Sequence, residues 1–411
     1  GARQVGKTWI MKTFGQQYFE KTAYVNFDNN ARMKQVFEGD LDIERLVLAI
    51  SAETGVSIEA ENTLIIFDEV QEVPKALTSL KYFYENAPQY AIVAAGSLLG
   101  VALHQGTSFP VGKVDFLDLY PLNFREFLCA MGEKQFVSML DSCDTQMVTV
   151  FKTKYIERLR EYYFVGGMPE VVKDFSEKKD YNRVRAIQKN LINYYQQDFS
   201  KHAEIKLVPR LNLVWNSIPM QLAKENKKYI YGQVREGSRA KDFELAIQWL
   251  LDCGLIHKVQ RIQKPDLPLK AYIDFDAFKL FLVDIGLLIA MTDLDAKVII
   301  EGNKIFTEFK GSLTEQYILQ QLISDVGVIP YYYSTQNSKG EIDFLVQGKT
   351  SVIPIEVKAE ENLKAKSLKA FCEKYQPSYA VRTSMSDYRE QDWMTNIPLY
   401  AVKWIKNYVN Q

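Results

Sequence analysis

The sequence predicts an α/β protein with an open, mostly parallel sheet over its first third, a helical middle and a small mixed α/β domain at the C-terminal end. Three observations predict it. Helix-like and strand-like periods alternate from Thr8 to Gly100; residues 130–205 keep a helical, amphipathic pattern broken only at VGGMP (165–169); and short alternating strand segments return at GEIDFLV (340–346) and SVIPIEVKAEEN (351–362). At 411 residues the chain exceeds one ordinary core, and about 150 residues per domain suggests two to three domains.

Within the first third, Thr8 to Phe19 reads as a helix and AYVNFD (23–28) as a strand ending on Asp28. TLIIFDEVQ (63–71) is a nearly continuous apolar run, the pattern of a strand buried on both faces, and it presents Asp68 and Glu69 at its end. YAIVAAGSLLG (90–100) reads as a further buried strand ending on Ser97. In open α/β sheets ligands collect at the carboxyl ends of the strands, where these polar residues lie.

Composition narrows the function classes. With 50 Lys+Arg against 51 Asp+Glu, the whole chain carries no field that marks a general nucleic-acid or membrane binder. Hydrophobic content of 47% suits a folded globular chain. The four cysteines, Cys129, Cys143, Cys253 and Cys372, show neither CxxC spacing nor the density of a disulfide scaffold, and read as reduced, mostly packing thiols. The most apolar stretches, 243–256 and 278–291, are shorter than the roughly 20 residues of a membrane span. No membrane partner is expected, and reduced thiols with a nucleotide motif point to the cytoplasm.

That motif is GARQVGKT, residues 1–8, with the GxxxxGK[ST] spacing of a phosphate-binding loop. Gly1 and Gly6 let the backbone curl so that N–H groups and a helix N-terminus face phosphates, and Lys7 supplies a point charge. Thr8 is placed to ligate Mg²⁺. Asp68 would hold the same ion through its waters, and Glu69 would polarise an attacking water. Ser97 reads either as a γ-phosphate sensor or as a turn serine. The expected ligands are therefore ATP and Mg²⁺. Because the loop opens the sequence with no strand ahead of it, the sheet is expected to lack its N-terminal strand, as in a fragment cut at the loop. A gap or exposed groove should then separate the strands at 63–68 and 90–96 from the segment near 114–119.

Five segments together, GARQVGKT, IIFDEVQEVP with its unusual Gln71, AAGSLLG, SFPVGKVDFLDLYPLNFREFL (108–128) and YYFVGGMPEVV (162–172), resemble the bacterial and archaeal AAA-type ATPases that carry a C-terminal domain of unknown function 4143. The resemblance spans almost the whole chain. It implies an ATPase core over 1–129, a helical lid over 130–205, a winged-helix-like domain over 206–298 and a last domain over 299–411. The family often has Arg after VG where this chain has Lys113, which lacks the forked donors of an arginine finger. Arg125 is the nearest alternative, or else a solvated helix residue.

In the middle, helices around LVWNSIPMQLAKEN and DFELAIQWLLDCGLI flank a turn, and the strand HKVQRI follows. Lys224, Lys227, Lys228, Arg235, Arg239 and Lys241 make this the most basic stretch, with Glu225 and Glu236 diluting it. Two readings stand: a DNA-facing surface, or a solvated face on a protein-packing domain. His202 and His257 lack partners at metal-ligand spacing and read as structural.

In the last third, 306–327 reads as a long helix with Glu315 in its early part. Strand periodicity puts Glu341 and Asp343 on one face of EIDFLV, and Glu356 and Lys358 on one face of VIPIEVKA. Asp343, Glu356 and Lys358 form a D…ExK constellation in which two carboxylates can hold Mg²⁺ and a lysine can orient water for phosphodiester attack. This resembles the restriction-endonuclease-like fold, in which Glu315 would be the additional acidic metal ligand. The bland alternative is a hairpin with solvated acids; Glu341 and Lys339 read as solvated turn residues. The expected protein is an ATPase coupled to a nuclease-like domain acting on DNA or RNA, against a nucleotide-dependent switch that binds a protein partner without cleavage, or a winged-helix DNA-binding regulator.

Overall fold

The computed structural model describes residues 1–97, 99–100, 112–224, 227–300, 307–335, 340–361 and 364–411. Glu225, Lys339 and the start of the 108–128 segment, all named above, lie outside the described residues. The described chain divides into two compact units: Gly1–Tyr120 with Asp252–Leu255, and Pro121–Leu251 with Ile256–Gln411.

The first unit holds β1 (Lys21–Asn26), β2 (Thr63–Asp68) and β3 (Ala91–Ala94), all parallel in the order β1-β2-β3. Its helices are α1 (Lys7–Tyr18), α2 (Ala31–Glu38), α3 (Ile43–Thr54) and α4 (Pro74–Asn86). Parallel neighbours require crossovers, and α2–α3 and α4 supply them. The two faces of β2 feed different cores: Ile65 and Phe67 join a cluster with Phe27 and Phe37, while Leu64 and Ile66 pack with Met11 of α1. Gly15 lets α1 sit close to the sheet, since a Cβ there would fall 2.5 Å from Thr22 Oγ1. The apolar β3 is half-exposed rather than buried as its sequence predicts. It stands at an edge of the sheet, and no described strand pairs with its outer side; residues 114–119 form no strand.

The second unit is built on an eight-stranded sheet, in the order β10-β11-β9-β8-β7-β6-β4-β5. Its strands are β4 (Ile256–Ile262), β5 (Ile273–Leu282), β6 (Tyr331–Ser334), β7 (Glu341–Gln347), β8 (Val352–Val357), β9 (Val381–Ser384), β10 (Arg389–Glu390) and β11 (Thr395–Pro398). Helices α5 (Phe124–Ala130), α6 (Lys134–Asp141), α7 (Thr145–Val150), α8 (Lys152–Val165), α9 (Pro169–Lys178) and α10 (Tyr181–His202) form the helical region. Then come α11 (Val208–Leu222), α12 (Tyr231–Val234) and α13 (Ala240–Asp252), followed after β5 by α14 (Ile285–Met291), α15 (Ala296–Ile300), α16 (Thr307–Gln321), α17 (Lys366–Tyr375) and α18 (Ile405–Val409). The β4–β5 ribbon, expected to belong to a separate middle domain, pairs through Arg261 and Ile262 with Tyr332 and Tyr333 of β6. One sheet therefore runs across the boundary drawn at 298/299, and the lid, ribbon and last domain share a unit.

Helix α16 is buried on its polar as well as its apolar sides. Gln316 exchanges two hydrogen bonds with the backbone of Leu282 at the end of β5, Gln320 accepts from Ile285 N, and Gln321 accepts from Phe124 N. Backbone groups at strand and helix ends are thus satisfied by glutamines instead of water. The two glycines of VGGMP serve a close approach: a Cβ on Gly166 would meet Asp284 Oδ1 at 2.2 Å, and one on Gly167 would meet Leu122 O at 2.1 Å. Asp284 caps α14 through Leu287 N (3.0 Å) and accepts from Gly167 N (2.6 Å).

Candidate functional site

Two groups of polar side chains stand out, one in each unit. In the first, the loop turns through Gln4 (φ 62°) and Gly6 (φ 93°), both left-handed, and α1 begins at Lys7. Its N-terminal N–H groups are left pointing out of the loop, the arrangement that takes an anion. Lys7 folds back: its Nζ donates to Ala2 O at 2.6 Å and Gly1 O at 3.1 Å. Burial lowers its pKa to about 8, opposed by the charges of Glu69 and Asp68.

Thr8 and Asp68, 60 residues apart, meet: Thr8 Oγ1 donates to Asp68 Oδ2 at 2.6 Å. Tyr24 donates its hydroxyl to the same oxygen at 2.9 Å, and Glu69 N donates to Oδ1 at 3.1 Å. Burial and the bond to Asp68 push the Tyr24 hydroxyl up to about 12, so it remains a donor. The sequence reading missed Tyr24, although strand alternation puts it on one side with Asn26, and Asn26 lies in register with Asp68.

Glu69 sits at φ 50°, and its Oε2 accepts from Gln71 Nε2 (2.6 Å), Ser97 Oγ (3.0 Å) and Ser97 N (3.4 Å). Burial acts to raise its pKa, but these hydrogen bonds and the charge of Arg3 hold it below the ordinary range. Ser97 is thus buried against Glu69. Thr8 and Asp68 suit Mg²⁺, which keeps most of its waters and takes few protein ligands. Lys113 pairs with Glu85 (3.4 Å). Arg125 is neither a solvated residue nor a free finger: it is committed to Asp141 (2.6 Å) and Asp325 (3.0 Å) in the second unit.

In the second unit, β7, β8 and α16 bring Asp343, half-buried, into one group with the buried Glu356 and Glu315. Lys358 lies there, where the D…ExK reading put it, and the structure adds two cations, Lys279 and Lys227, that the sequence reading did not place there. Lys279 of β5, wholly buried, pairs with Glu341 (2.5 Å) and Glu315 (3.7 Å). Lys227 also pairs with Glu315, and Lys358 with Glu356 (2.6 Å). Glu341 is therefore no solvated turn residue, and Lys227 is turned inward from the basic stretch, which leaves Arg235, Arg239 and Lys241 exposed. Asp343 accepts from Val357 N at 2.7 Å.

Four carboxylates face three ammonium groups, and the surplus falls on two of them. Burial, then the charges of Glu315 and Glu356, hold Asp343 well above the usual carboxylate range; burial also raises Glu356 against the pull of Lys358. Burial would lower Lys279, yet Glu315, Glu341 and Asp343 together hold it above its ordinary value. The acids are interleaved with lysines, and no three His, Cys, Asp or Glu side chains among the described residues gather to hold a metal ion. Glu315 Oε2 and Glu356 Oε2 have no hydrogen-bond partner. As arranged, the cluster is filled by ammonium groups and does not fit a divalent cation.

The four thiols are free; Cys253 is buried but Cys129 and Cys143 are exposed, so packing describes only part of the set. No helix among the described residues is long and apolar enough to cross a membrane. Family models match three stretches: the AAA domain over residues 1–128, domain of unknown function DUF8612 over 156–298, and domain of unknown function DUF4143 over 310–402. No curated protein and no solved structure matches the chain. With the first match covering the phosphate-binding loop, Asp68, Glu69 and Ser97, and the last covering the carboxylate cluster's strands β7 and β8, the matches support an AAA-type ATPase with a DUF4143 domain.

Proposed function

We propose that this chain binds ATP with Mg²⁺ at GARQVGKT and hydrolyses it, with Glu69 as the base toward the attacking water. The observation that carries the reading is the 2.6 Å bond between Thr8 Oγ1 and Asp68 Oδ2, which brings the two expected Mg²⁺ ligands, far apart in sequence, to one point beside Lys7 and Glu69. Backbone N–H groups of the loop and α1 cradle the phosphates, and Lys7 exchanges the carbonyls of Gly1 and Ala2 for β and γ oxygens. Thr8 and Asp68 would hold Mg²⁺, which would supply positive charge against the phosphate oxygens. Ser97, bonded to Glu69, would be the sensor of the γ-phosphate. Nucleotide binding and turnover should both be measured. Lys7→Ala is expected to weaken ATP binding, and Glu69→Gln to keep binding while stopping turnover; hydrolysis unchanged in Glu69→Gln would remove Glu69 from the mechanism.

A second reading concerns the DUF4143 region. The pairing of Lys227, Lys279 and Lys358 with its carboxylates favours a domain that binds a partner without cleaving it, and hence a nucleotide-dependent switch. DNA and RNA incubated with Mg²⁺ or Mn²⁺, with and without ATP, should stay intact. Cleavage abolished by Asp343→Ala and Glu356→Ala would restore the nuclease reading. DNA affinity that falls steeply with salt and with loss of Arg235 and Arg239 would favour a DNA-binding regulator.

A further inference from the structure

Gln71 distinguishes IIFDEVQEVP, yet hydrolysis by Glu69 as described gives it no task. It lies in a 3-10 turn, Val70–Glu72, directly after the left-handed Glu69. That turn is tied to the end of β3, because Val70 N donates to Ala95 O at 3.0 Å. Two constraints then act on the Gln71 carboxamide. Its Nε2 donates to Glu69 Oε2 at 2.6 Å, and its Oε1 lies over Gly96, where a Cβ would approach within 2.2 Å. The Oε1 atom is buried without a hydrogen-bond partner among the described residues. Turning the carboxamide over would set an acceptor against an acceptor on Glu69, so only one orientation bonds.

A buried orphan acceptor is costly and needs an explanation. Here the same side chain supplies the shortest hydrogen bond that Glu69 receives. With Gln71 and Ser97 both on Oε2, that oxygen is saturated; Oε1 accepts from no described residue. The carboxylate is thereby fixed in one rotation, with a single oxygen left for a water.

We propose that Gln71 is a positioning residue for ATP hydrolysis: its amide clamps Oε2 of Glu69 and so presents Oε1 to the attacking water. The glycine at 96 belongs to the same device, because any larger residue would displace the clamp. This inference rests on the ATPase reading above, and the two fail differently.

The experiment compares wild type, Gln71→Met, Gln71→Glu and Glu69→Gln for ATP turnover, KM and thermal unfolding. Met keeps the volume and removes the donor; Glu replaces the donor with a second carboxylate. Gln71→Met should lose about tenfold to a hundredfold in kcat while KM and Tm stay near wild type, the split expected when only the alignment of the reacting group is lost, and Gln71→Glu, which sets a second carboxylate against Glu69, should lose at least as much kcat. Gly96→Ala should show the same split without touching Gln71 itself. Wild-type kcat in Gln71→Met, with Glu69→Gln inactive, overturns this inference and leaves the ATPase reading standing. A fall in kcat in Gln71→Met accompanied by a rise in KM and a fall in Tm also overturns it, since Gln71 would then be a packing residue. Turnover surviving in Glu69→Gln removes the reading on which the inference rests.

Discussion

Lys7 and Lys279 are both largely withdrawn from water, and their charges are displaced in opposite directions. Among the described residues Lys7 has only the carbonyls of Gly1 and Ala2 as hydrogen-bond partners, and burial takes it down to about 8. Lys279 is pinned between Glu315 and Glu341, and their charges hold it above its ordinary value in spite of complete burial. The difference separates a site that waits for an anion from one that has its counter-ions built in. The first unit's loop keeps a cation under-compensated beside free N–H groups. The second unit's cluster has matched most of its carboxylates with ammonium groups.

The largest effect that tests this contrast lies on the waiting site. Glu69→Gln should reduce ATP turnover by roughly 10²–10⁴ with nucleotide affinity retained, the scale of a lost general base. Next in size is stability. Lys279→Met would leave half-buried Glu341 without its cation and buried Glu315 with Lys227 alone, and should cost about 3 kcal/mol in denaturant unfolding. Lys7→Met, in nucleotide-free protein, should be nearly neutral, because it removes a desolvated charge that no carboxylate touches. Equal losses from the two substitutions would erase the distinction drawn between the lysines.

Much of the first site was legible in the sequence because its chemistry is local. GARQVGKT and FDE each place their residues within a few positions, and strand ends bring the two together. The strand pattern likewise put Asp343 and Glu356 on converging faces. Lys279 could not be read this way: it opens the apolar run KLFLV, and its partner Glu341 lies 62 residues on. Periodicity says which face a residue occupies, not which distant strand will lie beside it. The same gap explains β3, whose apolar sequence looks buried although it stands at a sheet edge. It also explains α16, where Gln316, Gln320 and Gln321 read as a solvated side but satisfy backbone groups inside the unit.

Asp284 offers an internal control for the cluster, since it is a buried carboxylate served by N–H groups from Gly167, Leu287 and Gln320. Burial raises it from 3.8 to about 6 in spite of those hydrogen bonds. Between these values the native state binds more protons than the unfolded state, so stability falls as pH rises through the interval and levels off above it. The full swing is on the order of 3 kcal/mol. Unfolding measured from pH 4 to pH 7 should show this slope in wild type and a flatter one in Asp284→Asn. An identical slope in the variant would assign the pH dependence to other acids.

A small effect is also expected at Asp343, and it decides how the cluster balances its charge. Among the described residues four carboxylates surround Lys227, Lys279 and Lys358, and burial beside Glu315 and Glu356 holds Asp343 well above the usual carboxylate range, so Asp343 is the acid expected to carry a proton. A protonated aspartate and an asparagine are close in shape, and the amide oxygen can still accept from Val357 N. Asp343→Asn should therefore cost no more than about 1 kcal/mol, the scale of a single adjusted hydrogen bond. Glu315→Gln, which strips the counter-charge from Lys227 and Lys279, should cost several times that. If thermal unfolding shows the two losses to be alike, Asp343 is ionised in the native state, the lysines do not balance the cluster, and the net negative charge left there would attract the divalent cation that the present arrangement excludes.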